Sequence, residues 1–227
     1  MNATNQIDKP LASPRDRKTA LLWLVLLCCA AGMSSTWAAG SPEAGRTLYP
    51  VCTACHGAEG QGNRVMSAPK IAGQQGFYLL KQLQHFQSGI RGTAQGDAKG
   101  RQMAAMSKGP RLASSQALEN LVAYVESFPD NKTVETVSGD TDRGKGLFVT
   151  CASCHGDKAQ GLEMMAAPRL AGQNDWYLVA QLENFAAGRR GYAPGDHGGR
   201  QMKAKMDVLQ SPGDYRDVGA YINTLPP

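Results

Sequence analysis

The feature that most constrains this chain is a repeat. Cys52 and His56 recur as Cys151 and His155, an offset of 99 residues. The same offset carries Gly45 onto Gly144, Leu48 onto Leu147, Tyr49 onto Phe148, Pro69 onto Pro168, Tyr78 onto Tyr177 and Phe86 onto Phe185. It also carries AGQ at 72–74 onto AGQ at 171–173 and GRQM at 100–103 onto GRQM at 199–202, without a gap. Beyond that the register slips by two, since Tyr124 pairs with Tyr221. Self-similarity of this length means one folding unit used twice. The copies run over 41–128 and 140–227, joined by a polar linker, PDNKTVETVSG, at 129–139. Each copy has fewer than a hundred residues, a size at which an apolar core alone is marginal. Something besides side chains is expected to complete each core.

Within each copy the apolar spacing predicts helices. SPEAGRTLYPVC and DTDRGKGLFVTC open on Ser41 and Asp140, both good N-caps. QGFYLLKQLQHFQSG and NDWYLVAQLENFAAG repeat apolar residues at three- and four-residue spacing and end on glycine. SSQALENLVAYVESF and SPGDYRDVGAYINTL read as closing helices. Alternating β-branched runs are absent, and the Gly-rich segments between helices read as loops that need something to wrap around.

The repeated string is Cys-x-x-Cys-His: Cys52, Cys55 and His56 in the first copy, Cys151, Cys154 and His155 in the second. On one helical turn these three side chains project from the same side. Two thiols and an imidazole can then meet one flat object, the thiols bonding its vinyl groups while the histidine reaches its metal. The spacing reads as covalent haem c attachment. A zinc site would need a fourth ligand that neither copy supplies, and a thioredoxin-type pair would need a βαβ context.

For the sixth position of each iron the register selects Met103 and Met202, each 47 residues beyond its histidine within GRQM. Met106 aligns with Lys205; two extra residues after Met103 make it a competitor in the first copy. Met66 and Met165 are in register only ten residues past the histidine and are expected to pack at a haem edge. His85 aligns with Asn184 and His197 with Ala98, so both are expected to be surface or loop histidines. The aligned pairs Arg91/Arg190 and Arg101/Arg200 are candidates to meet haem propionates or to form solvated basic loops.

Residues 1–39 stand apart. Arg15, Arg17 and Lys18 precede an apolar run from Ala20 to Met33, followed by a small-x-small site at Thr36–Ala38. That run is shorter than the roughly 20 residues of a spanning helix, so a cleaved export signal is expected, with an uncleaved membrane anchor as the rival. Cys28 and Cys29 fall inside it and read as apolar filler. The remaining four cysteines are those of the two attachment strings, leaving none for a structural disulfide. The formal charge is +5, of which residues 1–39 contribute +2. No basic run is interleaved with aromatics, which argues against a nucleic-acid partner.

The two attachment strings, APKIAGQ with APRLAGQ, YLLKQLQHFQSGIRG with YLVAQLENFAAGRRG, and the two GRQM segments together resemble the dihaem cytochrome c4 family. The resemblance covers nearly all the chain beyond residue 40. It implies an all-α fold of two tandem cytochrome c domains, each wrapping one covalently attached haem with histidine and methionine ligands. It also implies two haems close together across a pseudo-twofold interface. The expected role is an exported, periplasmic electron carrier between a cytochrome bc complex and a terminal oxidase, and not an enzyme. The alternative is the electron-accepting cytochrome subunit of a periplasmic dehydrogenase. A dihaem peroxidase or thiosulfate-oxidising enzyme would need an open sixth site, against the matched methionines.

Overall fold

In the computed structural model, residues 40–227 are described, and the segment read as an export signal or anchor, with Cys28 and Cys29, lies outside them. In the first copy α1 (Pro42–Leu48), α2 (Pro50–His56), α3 (Gly76–Ser88), α4 (Ala98–Ser107) and α5 (Ser115–Glu126) follow in order. In the second, α6 (Thr141–His155), α7 (Asp175–Ala186), α8 (His197–Ala204) and α9 (Pro212–Thr224) do the same. Among the described residues the only β pairing is two isolated bridges, Asn63 with Ala68 and Leu162 with Ala167. The fold is all-α, as the periodicity predicts.

One difference between the copies follows from a single residue. The opening helix of the second copy is continuous, whereas that of the first breaks at Tyr49 into α1 and α2. Pro50 stands where the second copy has Val149, and proline lacks the N–H that would continue the helix. Ser41 and Asp140 cap the two opening helices through their side chains, to Ala44 N and to Asp142 N and Arg143 N. Both segments end at the attachment histidine, followed by Gly57 or Gly156 at positive φ.

Each opening helix crosses the closing helix of its own copy, α1 on α5 and α6 on α9. The crossings need glycine. A Cβ on Gly45 would lie 1.9 Å from the Asn120 carbonyl oxygen, and one on Gly144 would lie 2.0 Å from that of Asp217. Two small cores form beside them. Tyr49, Leu112, Leu118, Leu121 and Val125 make the first; Phe148, Leu178, Phe185, Val218 and Ile222 lead the second.

The linker is strapped down rather than free. Asp130 takes the buried Lys70 Nζ at 2.6 Å and Arg169 Nη1 at 2.7 Å, one cation from each copy. Burial pushes Asp175 up, but bonds from Thr136 Oγ1, Thr136 N, Val137 N and Trp176 N outweigh it, so this carboxyl titrates below its ordinary value.

His85 departs from expectation. It is neither a surface nor a loop residue but lies buried on α3, with Nδ1 3.7 Å from Asp196 Oδ1 of the other copy and no hydrogen-bond partner. His197 is exposed at the start of α8. Burial, assisted by Lys81, Arg91 and Arg190, pulls the His85 imidazole below its ordinary value against the opposing pull of Asp196. The unfolded chain therefore binds a proton that the folded chain refuses. That stabilisation is complete above the unfolded histidine pKa near 6.5 and declines as pH falls below it, towards the lower folded value.

Two outcomes are expected. Gly144→Ala forces α6 away from α9 and should destabilise the protein by about 1–3 kcal/mol, read as a fall in Tm. His85→Asn, the residue already present at the matched position 184, should flatten the loss of denaturant stability between pH 7 and pH 5 relative to the parent. A parallel slope in the variant would show that His85 does not titrate with folding.

Candidate functional site

Between the helices the two copies line one cavity of about 750 Å³, walled by both attachment strings and both GRQM segments. Cys52, Cys55, Cys151 and Cys154 stand half-buried on its wall.

The histidines are fixed in a way suited to a metal. His56 Nδ1 lies 2.8 Å from the Pro69 carbonyl oxygen, and His155 Nδ1 lies 2.8 Å from that of Pro168. A carbonyl can only accept, so Nδ1 carries the proton and donates, and Nε2 keeps its lone pair. Burial pulls both imidazoles below their ordinary value, against the hydrogen bond that favours the charged form. A neutral ring with an oriented Nε2 is what metal ligation requires. Pro69 and Pro168, thirteen residues past their histidines, thus gain a role that the repeat marked but did not explain.

The methionines hold matched positions. Asp97 and Asp196 cap α4 and α8 by accepting from Gly100 N at 2.7 Å and Gly199 N at 2.9 Å. Met103 and Met202 each stand six residues beyond that cap, half-buried on the cavity wall. The two extra residues of the first copy fall after Met103, where α4 runs on to Ser107 while α8 stops at Ala204. Met106 is 43% exposed, whereas Met206, out of register with it, is buried in the second core. Met66 and Met165 also line the cavity, 38% and 48% exposed.

The two arginine pairs separate. Arg101 and Arg200 are exposed. Arg91 and Arg190 are buried where the copies meet, each stacked over its own phenylalanine, Phe86 at 4.5 Å and Phe185 at 4.3 Å. Arg91 donates to Gln82 of its own copy and to Tyr177 and Gln181 of the other. Arg190 mirrors it with Gln181, Tyr78 and Gln82. Each retains a buried Nε without a partner. Two buried cations with unused donors on a cavity wall call for an anionic group inside it. The paired thiols, oriented imidazoles, apolar walls and orphaned donors all fit haem and its propionates.

AGQ is explained by the same interface. Gln74 Nε2 donates to the Arg169 carbonyl at 2.9 Å, and Gln173 Nε2 to the Lys70 carbonyl at 2.8 Å. The motif recurs because each copy grips the other.

Known proteins agree with this geometry. The cytochrome c family, described as Cytochrome c, matches residues 42–129 and 141–226. Cytochrome c4 of Azotobacter vinelandii is 33% identical over 91% of this chain and 98% of its own length. The thiosulfate dehydrogenase electron acceptor of Thiomonas intermedia is 32% identical over 80% of each chain. The crystal structure of reduced recombinant cytochrome c4 from Pseudomonas stutzeri superposes with a TM-score of 0.64 at 30% identity, over 82% of this chain and 100% of that one. Two haem c groups are covalently bound, one through Cys52 and Cys55 and one through Cys151 and Cys154. With two tandem haem domains and the role of an electron carrier rather than an enzyme, the chain belongs to the cytochrome c4 family.

Proposed function

We propose that the protein is exported to the periplasm and there passes electrons singly from a quinol-oxidising cytochrome bc complex to a haem–copper terminal oxidase. The observation that carries this reading is the doubled site, in which a histidine tied through Nδ1 and a methionine at a matched helix position share the cavity in each copy. His56 and Met103 are assigned as the axial ligands in the first copy, His155 and Met202 in the second. The haem domains are taken as 41–128 and 140–227, and residues 1–39 as the export signal or anchor.

When bound, each haem supplies a one-electron iron couple, which a thioether ligand places higher than a second imidazole would. The protein's own contribution is that His56 with Met103, and His155 with Met202, would hold the two irons and leave neither substrate nor oxygen a bond to the metal. Burial of the site disfavours the form with the extra charge. Arg91 and Arg190 are assigned to the propionates, whose negative charge would meet the two orphaned Nε–H donors. Met106 is left outside the ligand set because it is exposed and out of register with Met202.

A second reading, electron acceptor for a dehydrogenase, is supported by the likeness to the Thiomonas intermedia protein. Stopped-flow reduction separates the two. Rapid reduction of both haems by a bc complex with quinol, followed by reoxidation by the oxidase, is the expected result. Inertness towards that complex together with rapid reduction by thiosulfate dehydrogenase and thiosulfate would overturn it in favour of the second.

The ligand assignment has its own test. Met202→His should lower the potential of one haem and remove half of the far-red methionine-to-ferric-iron band, leaving the other haem unchanged. An undiminished band would mean that another residue holds that iron.

A further inference from the structure

The peptide unit that orients each histidine is itself held by the opposite copy. The Pro69–Lys70 peptide accepts from His56 Nδ1 at its oxygen and donates through Lys70 N to Asn174 Oδ1 at 2.8 Å. The Pro168–Arg169 peptide accepts from His155 and donates through Arg169 N to Gln75 Oε1 at 3.0 Å. Asn174 and Gln75 are the N-cap residues of α7 and α3, yet neither side chain caps its own helix. An asparagine at this position ordinarily caps its own helix, and here the amide oxygen is turned to the other copy instead. Space is kept clear for it twice. A Cβ on Gly62 would lie 2.7 Å from Asn174 Oδ1, and one on Gly161 would lie 2.4 Å from Gln75 Oε1.

We infer that Asn174 and Gln75 are crossed positioning residues: Asn174 tunes the haem of the first copy and Gln75 that of the second, through the Pro69–Lys70 and Pro168–Arg169 peptides. The inference rests on His56 and His155 being the axial ligands. The physical basis is polarisation along a hydrogen-bonded chain. An acceptor on the peptide N–H makes the carbonyl oxygen more negative and a stronger acceptor for histidine Nδ1–H. The ring then carries more negative charge at Nε2 and favours the ferric state. Removing the acceptor weakens the chain and raises the potential of the haem in the opposite copy.

The test is redox titration of the full-length holoprotein, each step assigned to its copy by NMR of the haem-shifted methionine methyl groups. Asn174→Leu should raise the first-copy potential alone, and Gln75→Leu the second-copy potential alone. Asn174→Asp places a charged acceptor on the same N–H and should shift the first-copy potential downward. It is the variant read if the leucine protein does not fold. Tyr192→Phe is the control, since it breaks bonds across the same interface, to Thr93 N and Oγ1, without touching the bridging peptides or their acceptors. It should move neither potential. Shifts confined to the mutated copy, equal shifts in both, no shift, or a Tyr192→Phe shift of similar size would each overturn the crossed role. A parent spectrum lacking histidine–methionine ligation would instead overturn the axial assignment, so the two failures are distinguishable.

Discussion

An apolar hole that fewer than a hundred residues cannot close governs everything else in this molecule. Each copy lines the cavity with two cysteines, a histidine and a methionine-bearing helix, and a covalently attached haem completes it. The helices alone bury only two small groups of side chains. The haem thus completes each core as well as serving as its redox centre. Covalent attachment suits that double role, since a group whose loss would empty the core is made unable to leave.

The same shortage of material explains the interface. Both copies line the one cavity, so neither encloses it by itself. Polar side chains do the closing. Arg91 and Arg190 reach across to the opposite tyrosine and glutamine, Gln74 and Gln173 to the opposite backbone, and Asp130 joins a cation from each side. Buried charges of this kind add little stability unless every donor is met, and the unpartnered Nε atoms of Arg91 and Arg190 are the demand that propionates would answer. Two redox centres built into one polar seam differ from two domains on a string. The peptide that holds each attachment histidine is itself bonded to a side chain of the other copy.

Much of this was legible in the sequence, because a gap-free repeat marks residues twice. The attachment strings, the capped helices and the matched positions of Met103 and Met202 all follow from local spacing and register. The partners of those residues did not. AGQ recurs in register, but recurrence does not say whether a side chain serves its own copy or the other; its contacts join residues 95 and 103 positions apart. His85 was misplaced for the same reason. Its mismatch with Asn184 suggested an unconstrained surface, whereas the pseudo-twofold packing buries it against Asp196 of the other copy. The linker's polarity indicated a tether, and only the fold shows Asp130 fastened to both halves and Thr136 to the second.

The central claim is that the two haem sites form one structural unit. Differential scanning calorimetry of the reduced holoprotein tests it most directly, because a two-state unit has equal calorimetric and van't Hoff enthalpies. The account predicts one transition with that equality across residues 40–227. Two resolved transitions, each matching a single copy, would contradict it.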